Sequence, residues 1–355
     1  MANERMLMKG NEALAEAAVR AGCKCYFGYP ITPQTEIAAY MSKRMPKCGG
    51  VFLQAESEIA AINMVYGAAA TGVRAMTSSS SPGISLKSEG ISYAAGCDLP
   101  CVVVNVQRGG PGLGGIQPAQ SDYYLATKAG GHGDFSVLVY APSSVQEMAD
   151  YVVKAFDMAD KYRMPAMILS DGLLGQMMEP VVFPDIQDNE PAREWACTGH
   201  GNKRKHNIIN SLYLKPEELE QSNIERYKKY DIVKAELPEA ETYLTEDADI
   251  IVTAYGASAR IVRSAVNAAR AEGIKAGMIR PITLWPFPEK AYADTVERTK
   301  AYLVVELSMG QMTDDVRLAT SCRRPVRFFG RTGGVIHTPA EILAQIKQIA
   351  KEELK

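Results

Sequence analysis

The chain has 355 residues, with 39 lysine and arginine set against 41 aspartate and glutamate, a formal net charge of -2, and 46% apolar residues. So balanced a charge gives no whole-chain field to recruit nucleic acid or an anionic membrane, and no apolar run approaches the roughly 18 residues of a membrane span. Seven cysteines without a CxxC pair argue against a disulfide framework or an iron–sulfur or zinc site on this chain, and for reduced thiols in a cytoplasmic protein.

The N-terminal stretch through Gly22 alternates charge with apolar residues and has no apolar core of the kind a signal peptide needs. Short apolar runs then predict strands over 23–29, 50–54, 73–79, 100–107, 136–141 and 165–170. Runs such as Cys101–Val104 are continuous rather than alternating, as in parallel strands covered on both faces. Between 144 and 161, Val145, Met148, Val152, Phe156 and Ala159 recur at helical spacing, with Ser144 and Glu147 placed as a capping box. Strand and helix in alternation predict an α/β fold with a doubly wound, mostly parallel sheet.

From about Pro184 to Thr245 the chain turns polar and irregular, with HGNKRKH at 200–206 and a helical patch near 216–236. The α/β pattern resumes with strands at 249–253, through 277–280 and at 301–306, a helix over 257–272, and a last helix opened by the capping box Thr338-Pro339-Ala340-Glu341. The expected division is 1–184, a connector over 185–245, and a second, smaller α/β domain over 246–355.

The first strand runs into Gly28-Tyr-Pro-Ile-Thr-Pro-Gln-Thr-Glu36. Tyr29 and Thr32 each precede a proline, which drives them to extended geometry and stiffens the turn on both sides of Ile31. Open α/β sheets bind ligands at such strand ends. Pro33 can also start a helix with Thr32 as its N-cap, a role that still allows the hydroxyl to face a ligand.

After the second strand, Ser57 can cap a helix whose first turn holds Glu58 and whose body is apolar on every side (Ile59 to Ala70), the pattern of a buried helix. Glu56 and Glu58 stand at its mouth. Acidic residues favour helix N-termini on electrostatic grounds alone, a reading that suits Glu56 better than Glu58. A carboxyl withdrawn from water is suited to exchanging a proton with a neutral heterocycle. Ser78–Gly83 forms a strand-to-helix turn whose amides could hold an anion. Arg108, at the end of the strand 100–107, could grip a carboxylate bidentately or pair with a partner chain. Gly110-Pro-Gly-Leu-Gly-Gly115 meets the GxGxxG spacing, but Ile116–Gln120 does not open a helix, so a flexible loop bordering a site is expected. His132, His200, His206, Trp195 and Trp285 read as loop or structural residues.

Together, GYPITPQTE, the Glu58 helix, TSSSSPG and PCVVVNVQRGGPGLG resemble the α subunit of 2-oxoacid:ferredoxin oxidoreductases. The segments Arg280–Pro288 and Glu306–Gln311 resemble that family's second domain, similar to the transketolase C-terminal domain. The resemblance covers essentially the whole chain. It implies a thiamine diphosphate enzyme converting a 2-oxoacid and coenzyme A into acyl-CoA, carbon dioxide and reduced ferredoxin. This chain would supply the pyrimidine half of the cofactor site, and a β subunit the diphosphate and magnesium half. Iron–sulfur clusters would sit on partner chains, among them a γ subunit and a ferredoxin-like subunit. The family's glutamate, with glycine nine positions later, maps to Glu58 and Gly67 and excludes Glu56. Thr32 and Arg108 map to substrate-binding residues, while Pro30, Ile31 and Glu58 map to the cofactor. Ser81 departs from the glycine common in relatives. Glu58 would hydrogen-bond the pyrimidine ring nitrogen and favour the imino form that removes the thiazolium C2 proton. Overall likeness favours a branched-chain substrate such as 3-methyl-2-oxobutanoate, with pyruvate, 2-oxoglutarate or a non-catalytic scaffold of the same fold as alternatives.

Overall fold

Each of the six apolar runs in the first half forms a strand: β2 (Cys25–Gly28), β3 (Val51–Gln54), β4 (Ala75–Ser79), β5 (Val102–Gln107), β6 (Leu138–Tyr140) and β7 (Ala166–Asp171). An N-terminal strand β1 (Met6–Lys9) precedes them. The helices between are α1 (Gly10–Arg20), α2 (Thr35–Arg44), α3 (Glu58–Ala70), α4 (Pro82–Gly96), α5 (Tyr123–Thr127) and α6 (Val145–Tyr162). After β7 come α7 (Gly172–Gln176), β8 (Met178–Val181) and α8 (Pro216–Glu236). The second half holds β9 (Ala240–Tyr243), β10 (Ile250–Thr253), α9 (Gly256–Ala271), β11 (Ala276–Pro281), β12 (Thr283–Trp285) and α10 (Glu289–Ala293). It ends with β13 (Ala301–Glu306), α11 (Met312–Ala319), β14 (Val326–Gly330) and α12 (Pro339–Glu353). The computed structural model describes residues 5–128, 130–186 and 193–354, so part of the expected connector, 187–192, lies outside the described residues.

The first sheet has seven strands in the order β12-β6-β7-β5-β4-β2-β3, parallel except for β12, which runs antiparallel to β6. Its inner strands are buried at every position, which is why they read as continuous apolar runs. The second sheet has the order β14-β13-β10-β11-β9, with β9 antiparallel on its edge. Two strands ignore a simple linear division. β9 falls within 185–245 yet pairs with β11, and β12 falls beyond 246 yet pairs with β6. The two sheets are thereby laced together. No helix among the described residues is long and apolar enough to cross a membrane, and none of the seven cysteines is in a disulfide.

Helix ends follow the expected chemistry with one change. Thr338 and Glu341 form the full capping box on α12. On α6, Ser144 accepts from Glu147 N, but the Glu147 carboxylate faces Ser143 and Arg280 instead of closing the box. A guanidinium that takes both carboxylate oxygens outcompetes a single backbone amide.

Helix α3 corrects an expectation. It is apolar all round, yet only one face is covered, by Ala61, Ile62, Val65 and Ala69. Ile59 is half exposed and Gly67 faces open space. Leu86 on α4 and Val51 and Leu53 on β3 are also 40–50% exposed. A helix with apolar residues on an uncovered face is built to be covered by something else.

Strand order places the binding crevice. The chain moves from β2 outward to β3, then returns across β2 to β4. Helices therefore depart in opposite directions beside the carboxyl ends of β2 and β4, the switch point at which doubly wound sheets bind ligands. The turns holding Thr32, Glu58, Ser78–Gly83 and Arg108 all lie on this rim.

Candidate active site

The turn after β2 is fixed from beneath by a hydrogen-bond chain across the crevice. Tyr26 Oη donates to Ser78 Oγ at 2.6 Å, Ser78 donates to Gln34 Oε1 at 2.5 Å, and Gln34 Nε2 donates to Tyr29 O at 3.2 Å. Thr32 is not the N-cap of α2. Gln34 N bonds Ile31 O and Ile37 N bonds Gln34 O, so the helical ladder starts with Gln34 as cap and Thr35 as first residue. Thr32 instead lies exposed on the turn, its carbonyl accepting from Arg108.

Glu58 and Glu56 separate as expected. Glu56 is exposed, whereas Glu58 is 6% exposed in the first turn of α3, which Ser57 caps by accepting from Ala60 N at 3.1 Å. No group among the described residues hydrogen-bonds the Glu58 carboxylate. Gly83, at the start of α4, makes room for it. A Cβ there would stand 2.7 Å from Glu58 Oε1 and 2.1 Å from Ser79 Oγ. Around it the buried hydroxyls of Thr77, Ser79 and Ser80 have no partner. Lys87, fully buried one turn further along α4, donates to Glu58 O at 3.3 Å. Burial pulls its amine down to about 8, against the opposing pull of Glu58.

Arg108 is 7% exposed, and no carboxylate among the described residues pairs with it. Nη1 donates to Thr32 O and Nη2 to Leu113 O, both at 3.1 Å, and Nε is left without a partner. Its backbone is held in turn. Arg108 N donates to Ser81 Oγ at 3.1 Å, Ser81 Oγ donates to Asp122 Oδ2 at 2.6 Å, and Asn105 Nδ2 donates to the same oxygen at 2.9 Å. Burial raises Asp122 above the usual carboxylate range, with the Ser81 and Asn105 bonds opposing. Ser81 has φ 20°, a conformation L-residues rarely adopt. Its hydroxyl, bonded to Asp122 and to the Arg108 amide, holds it there. The glycine-rich loop bonds onto itself, Gly109 N to Gln117 O and Gly115 N to Gly109 O, and no helix opens before Tyr123. Asp171, in the Ser-Asp-Gly stretch, caps α7 through Leu173 N and Leu174 N, and its complete burial raises it to about 6. Among the described residues no group of three or more His, Cys, Asp or Glu could hold a metal ion.

The comparisons with known proteins agree with this geometry. The thiamine diphosphate-binding family of pyruvate flavodoxin/ferredoxin oxidoreductases matches residues 16–243. Core domain II of pyruvate:ferredoxin oxidoreductase matches residues 248–342. The ketoisovalerate oxidoreductase subunit VorB of Methanothermobacter marburgensis is 49% identical over 347 residues, covering 98% of both chains. The chain belongs to the 2-oxoacid:ferredoxin oxidoreductase family. As an α-type member it is one subunit of a multi-chain enzyme. The 2-oxoglutarate synthase subunit KorA of the same organism is 37% identical, covering 97% of this chain and 98% of that one. The solved 2-oxoglutarate:ferredoxin oxidoreductase of Magnetococcus marinus superposes with TM-score 0.88 at 31% identity, over 98% of this chain and 65% of its own. A split-gene transketolase beta4 tetramer, at TM-score 0.61 and 14% identity, shares the fold.

For a thiamine diphosphate-binding domain of this family the residues fit the pyrimidine. The Glu58 carboxylate, the orphaned Ser79 hydroxyl and the bare Gly83 meet at the sheet's switch point. Sequence reasoning missed Lys87, the Ser81–Asp122–Asn105 mount and Gln34. Lys87 reads as a surface lysine in an ordinary helix, and only the spacing to Gly90 and Ile91, which face α3, hints that it points inward.

Proposed function

We propose that this chain is the α subunit of an enzyme that oxidatively decarboxylates a branched-chain 2-oxoacid with coenzyme A, giving acyl-CoA, carbon dioxide and reduced ferredoxin. The observation that carries the reading is the buried Glu58 carboxylate with no hydrogen-bond partner at the carboxyl rim of the first sheet. Branched-chain substrate is favoured by the 49% identity to VorB over the 37% to KorA. A cavity of about 560 Å³ beside Thr32, walled by Ile116, Leu173, Met177 and Ile336, adds an apolar lining suited to an aliphatic side chain.

Thiamine diphosphate, when bound, supplies the electron sink for decarboxylation. In this reading Glu58 holds the pyrimidine ring nitrogen and moves the proton there, while Pro30 and Ile31 abut the ring. Thr32 offers its exposed hydroxyl to the substrate. Arg108, its two outer nitrogens fixed on backbone carbonyls, keeps Nε for a carboxylate. Magnesium and the diphosphate fall to a β subunit. Iron–sulfur clusters fall to γ and ferredoxin-like subunits, with the assembly in the cytoplasm, consistent with seven cysteines and no disulfide. The uncovered face of α3 supports a partner that closes the site. For the domain limits we keep 1–184, 185–245 and 246–355, with β9 and β12 as strands exchanged across them.

Calorimetry tests the half-site. The chain alone with thiamine diphosphate and magnesium should give little heat, and addition of the β partner should restore binding. Submicromolar binding to the chain alone would overturn the reading.

A further inference from the structure

Lys87 is fully buried, and its one hydrogen bond goes to a backbone carbonyl that already belongs to a helix, Glu58 O. No carboxylate lies within ion-pair distance of it among the described residues. An unpaired buried ammonium is costly, so the presence of Lys87 in the core calls for a reason, and its place supplies one. It stands on the face of α4 that packs against α3, as does Gly90, whose Cβ would collide with Ile62. That position brings a cation to the first turn of α3, beside Glu58.

We propose that Lys87 is a positioning residue for the proton transfer at Glu58: its charge, held in the low-dielectric interior behind the first turn of α3, keeps the Glu58 carboxylate ionised once a partner and cofactor exclude water. The proposal rests on the role assigned to Glu58 above. Without the lysine, closing the site would favour the protonated carboxyl, which keeps the proton and cannot accept from the ring N–H of the imino pyrimidine. The amine itself transfers no proton. Its influence is through the field, and Glu58 is the charged group that acts on it. Glu89 and Tyr93, the other titratable side chains of α4, are exposed and bond each other. On α3, Tyr66 pairs with Cys97 at the far end of both helices.

The test uses the assembled enzyme with Lys87→Met, which keeps length and apolarity but removes the charge. Two quantities are measured against pH: the exchange rate of the cofactor C2 proton, and the protons taken up on thiamine diphosphate binding, from calorimetry in buffers of different ionisation enthalpy. The acid limb of the Lys87→Met exchange profile should move up by about one pH unit, the scale of one neighbouring charge. Exchange on that acid limb should fall about tenfold, return towards wild type as pH rises above it, and proton uptake on binding should change. In the Glu58→Gln background Lys87→Met should add little, because the group it acts on is gone. An unshifted profile, or a loss equal at every pH, overturns the proposal while leaving Glu58's role standing. A Glu58→Gln enzyme with full exchange would sink the underlying reading instead. Should Lys87→Met fail to assemble, Lys87→Gln carries the same measurements.

Discussion

Two parts of the molecule bury charge at the carboxyl ends of β-strands, and they treat it in opposite ways. Where the sheets meet, Glu306 is fully buried at the end of β13 and accepts from the amides of Gln311, Met312 and Thr313 and from the hydroxyls of Ser308 and Thr313. Arg280, 4% exposed, is held by both oxygens of Glu147 and by Glu241 at 2.7–2.9 Å. On the rim of the first sheet no described residue hydrogen-bonds the Glu58 carboxylate, and among the described residues Arg108 has two carbonyls, an unpartnered Nε and no carboxylate. Buried polar groups are ordinarily satisfied. One set stabilises the fold by being complete, and the other is left incomplete at a cost that only a ligand can offset.

The sharpest way to break this contrast is to neutralise each carboxylate. Glu58→Gln in the assembled enzyme should slow C2 proton exchange by about 10²–10⁴-fold, the range for a positioned acid–base group, with the thermal midpoint unchanged or raised. Glu56→Gln should behave like wild type, and equal effects from the two would remove Glu58 from its role.

The lysine behind Glu58 gives a stability counterpart. Its amine is depressed from the ordinary 10.5 to about 8, so between those values the unfolded chain binds more protons than the folded one and stability rises with pH. Lys87→Met should therefore be more stable than wild type by about 3 kcal/mol at pH 7, with the advantage fading between pH 8 and 10.5. Denaturation of the chain across that range measures it, and a pH-independent difference would mean that burial does not depress the Lys87 amine.

For the arginines, Arg108→Ala should lower kcat/KM by about 10–150-fold, from roughly 1.5–3 kcal/mol for one charge-assisted hydrogen bond. Cofactor affinity should hardly move, and Arg108→Lys should recover only part because it lacks the planar fork. Full kcat/KM with dissociation of the partner chains would make Arg108 an interface residue. The smallest effect belongs to the junction. Glu306→Gln should cost about 1–2 kcal/mol of stability, by weakening charge-assisted bonds that cap α11, while C2 exchange per folded molecule stays near wild type. A loss of exchange without a loss of stability would erase the contrast between the two regions.

Much of this was readable before any coordinates. The inner strands announce themselves because burial on both faces demands uninterrupted apolar runs, and Glu58 stands out because it is fixed to an apolar helix. The strands that escape notice are edges. Met6–Lys9 and Val326–Gly330 are short, half exposed and flanked by charge, so no run marks them. β12 hides inside a proline-rich stretch, and its pairing with β6 depends on how the second half folds back. In the proposed site, Thr32 and Arg108 could be picked out from the sequence as candidates, but what holds them could not. The Ser81–Asp122 bond spans 41 positions and the Ser78–Gln34 bond 44, distances over which no local pattern informs.

The uncovered face of α3 has a consequence for the life of the chain inside a cell. A copy released from the ribosome ahead of a partner displays Ile59, Leu86, Val51 and Leu53, the kind of side chains that chaperones and quality-control proteases recognise. On the proposed reading that a partner covers this face, a copy made alone should be degraded faster than one made with that partner, which a pulse-chase comparison measures, and surplus would be trimmed without a dedicated regulator.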